Sequence, residues 1–99
     1  MPKPSDNSQL DRRSLTALLR KNAALFWWVP SDKIEALSLE SLVEAVLNYG
    51  TVESVQDLFE AFGIERIASI FRRQIRAERK KYLPQTENYF TLYFNKYAP

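Results

Sequence analysis

Apolar residues recur at helical spacing through most of the chain. Leu15, Leu18 and Leu19 lie at positions i, i+3 and i+4 of a first helix predicted from Asp11 to Asn22. That helical run extends toward Pro30, which stops it because the residue before a proline avoids helical backbone. No segment shows the sustained alternation of apolar and polar residues that is typical of strands. The pattern therefore predicts an all-α fold.

Capping residues delimit the two middle helices. Ser38 is a predicted N-cap of a helix that continues to about Asn48, although Ser41 and Glu44 also fit a capping box that would start it three residues later. Thr51 is the predicted N-cap of the next helix. Gly50 and Gly63 follow these two apolar stripes, at the positions where a left-handed residue often ends a helix. The two glycines of the chain are thus predicted to be helix stops.

Two further helices complete the prediction. One runs from about Glu65 to Lys81 and ends before Pro84, and a last helix is predicted to be capped by Thr86. The opening segment MPKPSDNS is polar and contains two prolines, so residues 1–8 are predicted to be a disordered tail. Residues 9–99 are then a single helical domain, a compact bundle of about five short helices.

Composition narrows the possible chemistry. The chain of 99 residues is 45% apolar, enough for a core, and contains no cysteine and no histidine. Thiolate chemistry, Ser–His nucleophiles and the usual zinc sites are therefore excluded. We expect a protein that is not an enzyme and that needs no cofactor or metal. Because no apolar run has the length of a signal peptide or a membrane span, we also expect a cytoplasmic protein without a membrane partner.

The net charge of +2 conceals two segments of opposite sign. Residues 31–60 contain seven acidic side chains and one basic one, a net charge of −6. Residues 64–81 contain seven basic and two acidic side chains, a net charge of +5. Glu53, Asp57 and Glu60 share one face of the third predicted helix, so they could pair with the basic segment within the fold. Such asymmetry can equally mark an interaction surface.

The basic segment reads IFRRQIRAERKK, and its cations gather on one helical face. Arg72, Arg76, Arg79 and Lys80 lie at i, i+4, i+7 and i+8, with Arg73 at the edge. This stripe could contact several phosphates of a nucleic acid, or the carboxylates of a protein partner. It could also be the solvated or internally paired face of an ordinary helix. A helix-turn-helix motif is not supported, because the positions around the turn that such a motif keeps small or apolar hold bulky or polar residues.

A run of three aromatic residues stands at the end of the first helical region, in LFWWVP. Phe26, Trp27 and Trp28 are consecutive, so helical geometry points their rings about 100° apart and not all of them can face one core. The run could be a hydrophobic corner, or an anchor for a partner, since tryptophan is enriched at interface hot spots.

Four segments, taken in order, resemble a known family. They are FW in LFWWVP, the helix end VEAVLNYG, then LFEAFGIERI, and finally LPQTENYFTLYF. This order is similar to that of a family of short bacterial proteins of unknown function, often encoded beside abortive-infection-type nucleotidyltransferase toxins and therefore candidate antitoxins. The resemblance implies a structural core and no catalytic residues. The chain departs from the family in its WVPSD segment and in its arginine-rich helix. The matching positions are Phe26, Trp27, Tyr49, Gly50, Gly63, Asn88 and Phe90.

These observations predict a bacterial regulatory protein that acts by binding another protein, with a toxin as the candidate partner. The alternative is a nucleic-acid-binding protein that uses the basic helix over residues 65–81. The identity of the partner and the oligomeric state are open at this point. The candidate contact residues are Trp27, Trp28, Arg72, Arg73, Arg76, Arg79 and Lys80.

Overall fold

Five α-helices and two short 3₁₀ helices follow one another within the residues that the structure describes. The computed structural model describes the backbone of residues 4–77 and 82–99, with side chains from residue 12 onward. Across these ranges there is no strand, and the radius of gyration is 13.7 Å, which suits a compact chain of this length. The predicted all-α bundle is confirmed. The helices are α1 (Pro4–Lys21), a first 3₁₀ helix (Ala23–Phe26), a second 3₁₀ helix (Ser31–Ala36), α2 (Leu39–Tyr49), α3 (Val52–Phe62), α4 (Ile64–Arg76) and α5 (Pro84–Tyr97).

The two middle helices begin at the predicted caps. The side-chain oxygen of Ser38 accepts a hydrogen bond from the backbone N–H of Ser41 at 3.2 Å, at the start of α2. Thr51 does the same for Ser54 at 3.1 Å, at the start of α3. Each cap satisfies one of the backbone donors that a helix start leaves without a partner.

The two glycines end their helices in different ways. Gly63 has φ +85°, a backbone conformation in which side chains are rare, as predicted. Gly50 has φ −77° and ψ 173°, so the predicted left-handed stop is wrong there. A Cβ atom at Gly50 would lie 2.6 Å from the carbonyl oxygen of Val46. Glycine is required at this position because the backbone approaches too closely for any side chain.

The outer boundaries differ from the prediction at two places. α1 begins at Pro4, inside the segment predicted as a tail, and Pro suits a helix start because the first N–H groups need no intrahelical acceptor. Residues 1–3, also part of the predicted tail, lie outside the described residues. α5 begins at Pro84 with Leu83 as its N-cap, so the predicted cap at Thr86 is wrong. The sequence analysis interpreted Pro84 only as the end of the preceding helix, whereas in the structure it is the first residue of α5.

The basic helix is shorter than predicted. α4 ends at Arg76, and Ala77 has extended backbone with ψ 150°. The predicted helix over residues 65–81 is therefore wrong at its C-terminal end. Arg79 and Lys80 lie outside the described residues, so their alignment with Arg72 and Arg76 stays a prediction.

One core joins the helices. α2, α3 and α4 pack against one another, α5 packs on α4, and α1 packs across α2 and α3. The first 3₁₀ helix lies on α2, where Phe26 enters the core. None of the helices in the described ranges is long and apolar enough to cross a membrane. The largest fully buried side chains include Phe71, Phe94, Leu19, Leu42, Leu58 and Ile67.

Candidate partner-binding site

The segment LFWWVP forms a corner with one ring inside and two outside. Phe26 is only 2% exposed, whereas Trp27 is 84% exposed and Trp28 57% exposed. The Phe26 and Trp28 ring centroids are 5.9 Å apart, and Trp27 lies edge-on to Trp28 with centroids 5.7 Å apart and planes at 86°. The backbone N–H of Val29 donates to the carbonyl of Phe26 at 2.9 Å, which tightens the turn. Phe26 thus anchors the corner, and the two indoles project from it.

A hollow of about 330 Å³ lies between this corner and the C-terminal half of α2. Its walls are Trp27, Trp28 and the 58%-exposed ring of Tyr49. Glu44 and Asn48 line it from α2. The Asn48 side-chain oxygen also accepts a hydrogen bond from the backbone N–H of Leu83 at 3.1 Å, which holds the start of α5 against α2.

Glu44 places negative charge near a buried tyrosine. The pKa of Tyr82 is raised, first by burial of its phenol and second by the charge of Glu44. The Tyr82 hydroxyl donates to the side-chain oxygen of Gln74, and the Gln74 amide donates to the backbone carbonyl of Glu40 at 2.9 Å. These bonds connect the segment before α5 and the end of α4 to the start of α2.

The predicted basic stripe is divided by the fold. The guanidinium of Arg72 is half-buried and donates to the carbonyl oxygens of Phe94 at 3.2 Å and Ala98 at 2.7 Å. It therefore caps the C-terminal end of α5, where helix carbonyls lack intrahelical partners. Arg73 and Arg76 are exposed. Arg72 was predicted to line the same contact face as Arg73 and Arg76, but its guanidinium is engaged within the fold.

In the described part of the chain, Glu53 and Asp57 of α3 pair with α1, whereas the sequence left open a pairing of the α3 acids with the basic helix. The ammonium of Lys21, at the end of α1, lies 2.6 Å from Asp57 and 3.5 Å from Glu53. Its hydrogen bond with Asp57 is the main reason that the pKa of Lys21 is raised. Glu60 is exposed. The acids of α3 face α1 because α1 packs across α3, a long-range arrangement that helical periodicity alone does not specify.

A second polar contact supports the same junction. The Asn22 side-chain oxygen accepts from the Ser54 hydroxyl at 3.0 Å, and its amide donates to the Leu18 carbonyl at 2.9 Å. Asn22 is 7% exposed, so these bonds satisfy a buried amide. In the part of the chain that the structure describes, no three acidic side chains come together as a metal-binding group.

The hollow joins two predicted contact residues, Trp27 and Trp28, to residues of α2 that the sequence analysis did not name as contact residues. Trp27 and Trp28 lie where an aromatic corner was expected, and Arg73 and Arg76 are exposed as a contact surface requires. Glu44, Asn48 and Tyr49 were not predicted as site residues. Their position beside the corner depends on how Phe26 packs on α2, and no local spacing signals that contact.

Comparison of the chain with protein-family models, with curated proteins and with solved structures finds no match. The resemblance to the antitoxin-like family therefore stays a prediction.

Proposed function

We propose that this chain acts by binding another protein through the surface formed by Trp27, Trp28 and Tyr49, and that it is not an enzyme. The supporting observation is the 84% exposure of Trp27 on a corner held in place by buried Phe26. Large exposed aromatic surface has a hydration cost that a partner relieves, and tryptophan and tyrosine often dominate interface energies.

The resemblance supplies the first partner to test. Proteins of that family are often encoded beside abortive-infection-type nucleotidyltransferase toxins, so we propose an antitoxin-like role in the bacterial cytoplasm with such an enzyme as the partner. Nothing in this proposal requires chemistry by the chain itself.

Co-purification tests this proposal. The affinity-tagged chain is expressed together with an abortive-infection-type nucleotidyltransferase, and the complex is quantified after size-exclusion chromatography. We expect a complex with the native chain and its loss with Trp27→Ala/Trp28→Ala. Leu92→Ala is the control, because Leu92 is 64% exposed on α5 and does not line the hollow. A complex that survives the double substitution at the corner would refute the proposed surface.

Nucleic-acid binding is the second candidate function. Two observations favour it: Arg73 and Arg76 are exposed, and the acids Glu53 and Asp57 turn toward Lys21 and not toward α4. It is weakened by Arg72, whose guanidinium is engaged with α5.

Fluorescence anisotropy with labelled DNA and RNA over a salt series tests this second function. Arg73→Glu/Arg76→Glu is the informative variant, since it spares the structural contact of Arg72. Micromolar binding that weakens steeply with salt and disappears in the variant would place nucleic-acid binding first, because phosphate contacts release counterions. Absence of binding at low salt would remove this function.

A further inference from the structure

Exposed arginines surround a concavity on α1. Arg13 and Arg20 are seven residues apart, so they lie on the same side of the helix, with the smaller Thr16 and Ala17 between them. The concavity has a volume of about 490 Å³. We call it the arginine notch, and it is lined by Arg12, Arg13, Thr16, Ala17 and Arg20.

The arginine notch has an excess of positive charge. Among the described residues, no acidic side chain lines it. The nearest carboxylate belongs to Glu35, which accepts a hydrogen bond from the Nε–H of Arg20 and lines the adjoining hollow. Arg12 and Arg13 form no ion pair with another described residue. Three positive charges are thus opposed by one negative charge, which leaves an excess of two.

This excess favours the binding of an anion. Like charges that are held close together repel one another, and an anion between them replaces the repulsion with attraction. Arg20 is compatible with such a ligand although it pairs with Glu35, because that bond uses one of the five N–H groups of its guanidinium. The pairing also connects Arg20 to the second 3₁₀ helix and so limits the positions that its side chain adopts.

We propose that the arginine notch binds a phosphate group, with the guanidinium groups of Arg12, Arg13 and Arg20 as donors. This inference goes beyond the proposed function. It shares no residue with the tryptophan corner, and none with the exposed arginines of α4.

Phosphate fits the arginine notch better than a carboxylate does. A terminal phosphate group carries a charge of about −1.5 to −2 at pH 7 and has three acceptor oxygens, whereas a carboxylate has one charge and two oxygens. The charge of the phosphate therefore matches the excess of two. Its oxygens can accept from guanidinium groups at both ends of the arginine notch and from the hydroxyl of Thr16 between them. A guanidinium also bonds phosphate through two N–H groups at once.

Titration of the ¹⁵N-labelled chain, followed by two-dimensional amide NMR, tests the site. The probes are sodium pyrophosphate and, separately, citrate, a polyanion built from carboxylates, both at constant ionic strength. We expect saturable shifts of the backbone amides of residues 12–20 with pyrophosphate, and binding of citrate that is weaker by about fivefold or more.

Variants with the same loss of charge locate the site. Arg12→Gln/Arg13→Gln should weaken pyrophosphate binding by about tenfold or more, because it removes two charged donors. Lys33→Gln/Lys96→Gln is the matched control: both lysines are exposed and neither lines the arginine notch, so the affinity should change by less than about twofold. Ala17→Glu keeps every arginine but places a carboxylate between them, and should abolish binding. Circular dichroism confirms that the variants are folded.

The phosphate could belong to a nucleic-acid strand or to a small phosphate compound, and a ten-nucleotide single strand separates the two sources. Binding of this strand about tenfold tighter than that of pyrophosphate, and lost in Arg12→Gln/Arg13→Gln, would support the site and assign it to nucleic acid. Binding of the strand no tighter than that of pyrophosphate would support a site for small phosphates. Equal affinities for citrate and pyrophosphate, or equal losses in the arginine and lysine variants, would overturn the inference.

Discussion

Two segments of this chain are rich in aromatic residues, and in each of them the fold buries some rings and exposes others. In α5, Phe90 and Phe94 are buried, and Phe94 lies 5.4 Å from Phe71 between ring centroids. In the corner, Phe26 is buried, whereas Trp27 and Trp28 project into solvent. Both segments lie next to the same core, so aromatic content does not decide which rings are buried.

Spacing explains the difference. Phe90 and Phe94 are four residues apart on a continuous helix, so both side chains fall on the face that meets α4. The three rings of the corner are consecutive, so only one of them can follow that direction. Phe90 and Phe94 are thus structural residues, whereas the indoles of Trp27 and Trp28 are exposed to solvent.

The largest expected effect concerns the buried ring of α5. Phe94→Ala should lower the free energy of unfolding by about 3–5 kcal/mol, because it removes a fully buried ring and leaves a cavity among its aromatic neighbours. Urea denaturation measures the change. A loss below about 1 kcal/mol would contradict the assignment of α5 as part of the core.

A smaller effect should follow from loss of the cap on α5. Arg72→Gln removes the charged donor that bonds the Phe94 and Ala98 carbonyls, and should cost about 1–3 kcal/mol of unfolding free energy. Arg76→Gln, an exposed arginine one turn later, is the control and should change stability by less than about 0.5 kcal/mol. Equal effects of the two substitutions would indicate that Arg72 has no capping role.

High pH should lower the free energy of unfolding through ionisation of Tyr82. Burial and the nearby charge of Glu44 raise the pKa of Tyr82 above its ordinary value of 10.0, so the unfolded chain loses this proton at a lower pH than the folded chain does. The contribution of Tyr82 to the free energy of unfolding is therefore complete below pH 10. It falls as the pH rises above 10, by up to about 1.4 kcal/mol per pH unit.

Urea denaturation at pH 9 and at pH 11 measures this dependence, with Tyr82→Phe as the reference. Lys21, whose pKa is also raised, contributes to the loss in both proteins. The native chain should lose more stability than Tyr82→Phe between these two values. Parallel losses would mean that the Tyr82 phenol ionises as easily in the folded chain as in the unfolded one.

The smallest effect on stability is expected at the corner. Trp27→Ala should change the free energy of unfolding by less than about 0.5 kcal/mol, since the indole is largely in solvent. The same substitution should weaken binding to the partner. Thermal unfolding of the variant, compared with its co-purification, separates the two roles. A strongly destabilised variant would show that Trp27 is a structural residue like Phe94.

The sequence predicts local features well and tertiary contacts poorly. The caps at Ser38 and Thr51 are determined within a few residues, so their pattern is sufficient. Arg72 meets the end of α5 across 22 and 26 positions, and Lys21 meets Asp57 across 36. These contacts depend on how helices pack, which periodicity does not determine. The sequence pattern therefore predicted Arg72 as a surface contact residue, whereas in the structure its guanidinium caps the C-terminal end of α5. The tryptophan pair was predicted as a candidate contact because three consecutive rings cannot all face one core, which is a local signal.

Acrylamide quenching of the intrinsic fluorescence of the isolated chain tests the central claim most directly. Trp27 and Trp28 are the only tryptophans, so the signal comes from the corner alone. The structure predicts efficient quenching, close to that of free N-acetyltryptophanamide for Trp27, and weaker quenching of Trp28. Trp28→Phe and Trp27→Phe resolve the two contributions. Poor quenching of both tryptophans would show that the corner is already covered in the free chain, and would contradict its assignment as an available binding surface.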